Sequence, residues 1–357
     1  MGTPERGAAE ERRTSLYDVH PDKIDRVLGD ILSPPFRVRQ VADWLYDKHV
    51  STFESMSNLP KPARETLEEH FALHTLEPLT VSEPVADGSR KYLFSLGDGL
   101  EVESVYMPMG DRTTICVSSQ AGCAVGCTFC VTGFFGPGRN LRPSEILAQI
   151  HTIQHEQEIP DEKLNLVFMG MGEPLLNTEN LGTTLDILEK SISLKRVTIS
   201  TSGITPGIRW LVERRSRPNL AISVNAPDQE RRVEIMPISR KYPLAELVEE
   251  LRGFPVDRSR HLTAEYVLLR GWNDSVGDAR MLAELLRGLE IKINVIPFNP
   301  DPHLPKWMKR PDDAAIDRFA KTLVDEGALV TVRRSKGLEI AAACGQLKGS
   351  TKRRKSR

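Results

Sequence analysis

Gly122-Cys123-Ala124-Val125-Gly126-Cys127-Thr128-Phe129-Cys130 directly follows a stretch over 113–118 with the β-branched, apolar character of a strand. Three thiols so close in sequence can converge on one soft metal centre. The small residues between them let the backbone wrap closely around a large group. Zinc is the competing ligand, but a structural zinc site closes with four protein ligands. This loop offers three with no His beside it, so Cys116 or Cys344 would have to complete the set. On a four-iron cluster, by contrast, three thiolates leave one iron open to a small molecule.

Downstream of the loop, short strand-like runs over 164–169, 196–200, 219–224, 262–269 and 291–296 are predicted, with a last strand over 328–333. Helical patterns over 143–157, 208–215 and 275–289 separate them. Strand and helix alternating with short connections imply parallel βαβ units, hence an α/β sheet or barrel whose ligands gather at the C-terminal strand ends. Upstream, apolar residues at helical spacing over 38–74, such as Val41, Trp44 and Leu45, predict a small helical module. Tyr92–Phe94 and Leu100–Tyr106 flank Asp98-Gly99 and predict a hairpin leading into the main domain. The expected organisation is a disordered segment over 1–20, an accessory module over 21–100, a catalytic domain over 101–347 and a basic tail over 348–357.

The 357 residues carry 39% hydrophobic and 27% charged side chains, and no apolar run approaches the roughly 18 to 20 residues that span a bilayer. Met1 to Arg13 is charged and lacks the apolar centre of a secretory signal, so a cytoplasmic protein is expected. Five cysteines in such a chain do not suggest a disulfide scaffold. A net charge of −1 gives no global attraction to nucleic acid, so RNA binding would rest on local basic patches. Lys348, Lys352, Arg353, Arg354, Lys355 and Arg357 form one such patch, with no acid in the last ten residues; a solvated tail is the plainer reading.

The spacing of the three cysteines is that of the radical S-adenosylmethionine (SAM) superfamily. Val102-Glu103-Ser104-Val105-Tyr106, Cys116-Val117-Ser118-Ser119-Gln120, Arg139-Asn140-Leu141, Gly170-Met171-Gly172-Glu173-Pro174-Leu175 and Ala342-Ala343-Cys344-Gly345-Gln346-Leu347 narrow the match. Together they resemble the RlmN/Cfr family of RNA adenosine methyltransferases, over about Val38 to Leu347. The resemblance implies an α/β fold, a partial (β/α)6 radical SAM barrel with a small N-terminal helical and hairpin accessory module. It implies a 4Fe-4S cluster on Cys123, Cys127 and Cys130 and a SAM pocket lined by Gly172, Glu173, Ser200, Ser223, Val224, Asn225 and Asn299. These residue types suit the task, since glycine permits close approach while carboxylate, hydroxyl and amide groups receive ammonium and ribose. Each also has an ordinary explanation. Gly-Glu-Pro makes a turn, Ser200 a helix cap and Asn299 before Pro300 a turn initiator.

By the same resemblance Cys344 carries the methyl group. Carbon 2 of adenine is a poor nucleophile, so direct displacement on SAM fails and a covalent relay is needed. Two SAM molecules are consumed per turnover: one methylates Cys344, and the other is cleaved reductively to a radical that activates the S-methyl group. Glu103 matches the proton acceptor. Cys116 matches the thiol that releases the product through a transient disulfide with Cys344. The implied partners are RNA, with 23S ribosomal RNA first and transfer RNA as a further candidate, and an electron donor such as flavodoxin. Val224-Asn225 stands where the family has Leu-His, and Ser335 to Glu339 replaces a stretch with Arg-Gly and an acid. The alternatives are a Cfr-type enzyme acting at carbon 8, a radical SAM enzyme with a small-molecule substrate, and a zinc-stabilised RNA-binding protein without catalysis.

Overall fold

Ten strands form one sheet in the computed structural model, which describes residues 13–73, 75–256, 262–333, 340–343 and 345–348. In chain order they are β1 Pro78–Val81, β2 Arg90–Ser95, β3 Glu101–Met109, β4 Arg112–Cys116, β5 Leu164–Phe168, β6 Val197–Thr201, β7 Asn219–Ser223, β8 Leu262–Leu268, β9 Ile291–Pro297 and β10 Leu329–Val332. Each strand pairs with its neighbours in sequence. β1 to β4 form an antiparallel meander, and β4 to β10 run parallel. The six strands expected for the barrel are all present, and β10 extends the parallel run by one.

Parallel neighbours need a crossover, and helices supply it. Among them are α5 Pro143–Glu156, α6 Thr178–Leu188, α7 Thr205–Glu213, α8 Gln229–Ile235, α9 Leu244–Arg252, α10 Val276–Leu285 and α11 Asp313–Asp325. Their apolar stripes close on the sheet, and Leu164, Leu166 and Phe168 show the alternation along β5 that meets them. Helix starts follow local chemistry. Pro143 opens α5, where its missing N–H costs nothing, and Ser275 caps α10 by accepting from Asp278 N at 3.1 Å. α10 stops at Leu285, short of the expected 289, and Gly288 follows at φ +80°.

Two expectations about the N-terminal part need correction. The segment over 1–20 is not structureless where it is described. Thr14–Ser15 pairs in parallel with Phe71–Ala72, and Leu16 and Tyr17 are buried in the core. Tyr17 Oη donates to Leu45 O at 3.2 Å and Val50 O at 3.0 Å. Two large side chains in a polar stretch make no periodic pattern, so only their tertiary partners reveal them. The boundary at 100/101 also falls inside the hairpin of β2 and β3, whose residues pair from Arg90↔Tyr106 to Ser95↔Glu101. The hairpin is therefore part of the catalytic sheet. Before it lie α1 Ile24–Gly29, α2 Phe36–Tyr46 and α3 Lys61–His70. Their buried side chains share one continuous core with the barrel. Among the described residues no helix is long and apolar enough to cross a membrane.

Candidate metal and cofactor site

After β4 the chain turns across the C-terminal edge of the parallel strands. Gly122 has φ +107°, and a Cβ there would lie 2.7 Å from Gly136 O, so the turn requires glycine. Three backbone bonds then hold the cysteine loop in place. Cys123 N donates to Gly136 O at 2.9 Å, Thr128 N to Ile235 O at 2.9 Å, and Val131 N, at the start of α4 Val131–Phe135, to Gly345 O at 2.7 Å.

Cys123, Cys127 and Cys130 border one cavity together with Gly172, Glu173, Ser200, Ser223, Asn225, Glu265, Asn299 and Gly345. Burial pushes the Cys123 thiol up to about 12 and holds Cys127 well above the ordinary thiol range. Each of these two thiols is raised further by its neighbours in the trio, while the backbone N–H groups of Val125 and Gly126 offset part of the rise at Cys123. Three sulfur donors on the wall of one cavity suit a soft iron-sulfur centre. Among the described residues no three His, Cys, Asp or Glu side chains are gathered to ligate a single ion. Cys116 is buried at the end of β4, outside the residues that line the cavity.

The residues expected to bind the cofactor come from the ends of four strands, β5, β6, β7 and β9. Gly172 has φ +103°, and a Cβ there would lie 2.5 Å from Gln120 Cβ. Glu173 is buried; its Oε2 accepts from Ser202 N and Oγ, both at 2.7 Å, and its Oε1 accepts from Leu175 N at 3.1 Å. Burial raises its carboxyl above the ordinary range, and the Ser202 N–H and hydroxyl pull it back. Ser200 Oγ donates to Glu265 Oε2 at 3.2 Å. Asn225 occupies the left-handed region at φ +59° and braces the loop after β7: its Nδ2 reaches Met236 Sδ at 3.3 Å and its Oδ1 accepts from Val267 N at 2.9 Å. Val224 is buried but does not line the cavity, and Asn299 does.

Glu103 sits on β3, buried, with Oε1 3.1 Å from Lys91 Nζ and Oε2 accepting from Lys348 N at 3.0 Å. Cys116, paired opposite Val105 on the same strand, is its near neighbour in the sheet. Cys344 lies outside the described residues, as do Ser335 to Glu339 and residues 349–357 of the basic tail. The residues flanking Cys344 are anchored at the site: Thr132 Oγ1 donates to Leu347 O at 2.5 Å and Gln346 Nε2 to Pro300 O at 3.0 Å.

Sequence reasoning missed Glu265, Ser202, Lys91, Gln120 and Arg232. Glu265 left a trace, since it is an acid inside the apolar strand Leu262–Leu268. Of the others, Ser202 lines the cavity, Gln120 and Arg232 bond to residues that line it, and Lys91 meets Glu103, all through the fold.

Residues 117–286 match the model of the radical SAM superfamily, and residues 14–73 match that of the ribosomal RNA large subunit methyltransferase N-terminal domain. Among its relatives, a dual-specificity RNA methyltransferase RlmN from Anaeromyxobacter sp. is 43% identical over 97% of this chain and 94% of its own length. One of the same name from Nitratiruptor sp. is 44% identical over 92% of this chain and 96% of its own. The crystal structure of a radical SAM methyltransferase from Sphaerobacter thermophilus superposes with a TM-score of 0.87 at 39% identity, covering 94% of this chain and 99% of that one.

Proposed function

Since the chain belongs to the RlmN family of radical SAM RNA methyltransferases, we propose that it methylates carbon 2 of an adenosine in 23S ribosomal RNA through a methyl group carried on Cys344. Transfer RNA is the second substrate of this reading, in keeping with the dual specificity named for its relatives. The observation that carries it is the single cavity shared by the three cysteines, Glu173, Ser200, Asn299 and Gly345, the residue next to Cys344. The match of the N-terminal module over 14–73 favours carbon 2 over carbon 8.

In this reading Cys123, Cys127 and Cys130 hold the 4Fe-4S cluster, and Gly172, Glu173, Ser200, Ser223, Asn225 and Asn299 seat SAM beside it. When bound, the cluster supplies the electron for reductive cleavage and SAM supplies the methyl group, two molecules per turnover. The electron comes from an external donor such as flavodoxin. Gly172 lets the backbone approach closely, and the buried carboxylates of Glu173 and Glu265 supply acceptors. Glu103 takes the proton lost from the adenine carbon. Oε1 meets Lys91 Nζ and Oε2 accepts from Lys348 N, and each oxygen keeps a second lone pair for the proton. Cys116, as the thiolate, attacks the sulfur of Cys344. The bond from that sulfur to the methylene carbon breaks, and the carbon keeps the electron pair and takes up a proton as the product's methyl group. The two cysteines end as a disulfide that a reductant reopens.

Anaerobic reconstitution with iron and sulfide, then incubation with SAM, a reductant and unmodified 23S RNA, tests this by mass spectrometry of the digested nucleosides. 2-Methyladenosine from the wild type and none from Cys344→Ala is the expected result. 8-Methyladenosine would assign the Cfr-type reaction, and SAM cleavage without methylated nucleoside would sink the RNA substrate.

A further inference from the structure

Arg232, on α8, is the largest side chain of the described residues with no solvent exposure. Four of its N–H groups are spoken for. Nε donates to Val224 O at 3.1 Å, Nη1 to Ser239 Oγ at 2.7 Å, and Nη2 to Ser202 O at 2.7 Å and Ser223 O at 2.8 Å. All of these acceptors are neutral. Its neighbour Arg231 pairs with the carboxylates of Asp228 and Asp278 at 2.6 Å each, whereas no carboxylate of the described residues forms an ion pair with Arg232. A buried guanidinium without a counter-charge is costly, and carbonyl dipoles offset only part of that cost. Burial pulls its pKa down to about 10, so it remains a cation at neutral pH.

Ser202 and Ser223, whose carbonyls Arg232 holds, line the cavity that Cys123, Cys127 and Cys130 border. The backbone explains the proximity. α8 ends at Ile235, whose carbonyl accepts from Thr128 N inside the cysteine loop, so the helix carrying Arg232 is bonded directly to that loop.

We propose that Arg232 is the buried counter-charge of the iron-sulfur cluster held by Cys123, Cys127 and Cys130, and a positioning residue for the ends of β6 and β7. The inference rests on the cluster reading of the three cysteines. One electron from an external low-potential donor adds one negative charge to the cluster and its thiolates. A fixed positive charge in a low-dielectric interior stabilises the more negative, reduced state. Arg232 thus raises the midpoint potential and eases the electron transfer that starts the reaction. Through its bonds to Ser202, Ser223 and Val224 it also ties together two strand ends that line the cofactor cavity.

The test compares full-length wild type, Arg232→Gln and Arg232→Lys after anaerobic reconstitution, by iron and sulfide content per chain and by a redox titration followed by electron paramagnetic resonance. Glutamine keeps hydrogen-bond donors and loses the charge; lysine keeps the charge and loses the fork. Arg232→Gln is expected to make reduction about tenfold less favourable, a midpoint about 59 mV more negative, while Arg232→Lys stays near the wild-type potential although less stable to heat. A merely structural arginine would leave both midpoints in place or move them alike, and either result overturns the proposal. If Arg232→Gln does not fold, Arg232→Met replaces it as the neutral variant with the same expected shift, and a wild-type midpoint in that variant overturns the proposal. A wild type that takes up no iron overturns the cluster reading itself, an outcome distinct from the others.

Discussion

Glu265 shows how one side chain joins strand, cavity and pH response. It is buried on β8, Ser200 Oγ donates to its Oε2 at 3.2 Å, and its Oε1 stands 3.5 Å from Arg333 Nη1. Burial raises its carboxyl above the ordinary range, and Arg333 and Ser200 lower it only in part. A raised carboxyl stabilises the fold fully below the unfolded pKa of about 4.3, and that contribution is lost as pH rises through the folded value. Glu265→Gln, which cannot ionise, should match the wild type near pH 4 and unfold at higher temperature than it above neutrality in the metal-free protein. Thermal scans across pH read this out, and parallel curves would count against it. Gly172→Ala is expected to destabilise by about 1–3 kcal/mol and to weaken SAM binding, because its φ of +103° and the 2.5 Å approach of Gln120 Cβ leave no place for a methyl group. Urea unfolding and equilibrium dialysis of SAM against the reconstituted protein measure the two effects.

At the scale of elements, the hairpin of β2 and β3 carries part of the proposed chemistry. Lys91 pairs opposite Val105 and Glu103 opposite Leu93, so the lysine and the acid are diagonal neighbours on one face of the sheet. β4 then sets Cys116 opposite Val105. An antiparallel meander therefore brings the proposed acid and resolving thiol to the parallel strands that hold the cofactor residues. The helices that bridge those strands depend on local caps. Ser275 and Asp278 satisfy one another's backbone N–H groups at the start of α10, both at 3.1 Å. Ser275→Ala should cost about 0.5–2 kcal/mol in urea unfolding while leaving cluster content unchanged, since α10 contributes nothing to the cavity.

Across the whole molecule, the N-terminal module docks on α5 through histidines. The His49 and His151 rings stack at 4.4 Å with 24° between their planes, Tyr17 lies 5.5 Å from His151, and His49 Nε2 is 3.5 Å from Asp161. Burial, with His49 alongside, holds His151 well below the ordinary imidazole pKa. A depressed histidine stabilises the docked state above the unfolded pKa of about 6.5, and that stability is lost as pH falls toward the folded value. Amides in 14–73 should exchange with solvent faster at pH 5.5 than at pH 7.5, after correction for intrinsic rates. His151→Phe should abolish the difference. An unchanged difference in the variant would place the pH response elsewhere.

The sequence by itself determined the alternation of strand and helix, the cysteine loop and the strand ends that would face a cofactor. Periodicity and short-range spacing are local properties, and Cys123, Cys127, Cys130, Gly172 and Glu173 lie where that logic puts them. Only the tertiary structure decided that Leu16 and Tyr17 belong to the core, that Lys91 pairs with Glu103, and that Glu265 and Arg232 are buried at the site. Burial and charge pairing depend on residues far apart in the chain. A lone arginine or glutamate reads the same in a solvated helix as under a cavity until the fold supplies its neighbours.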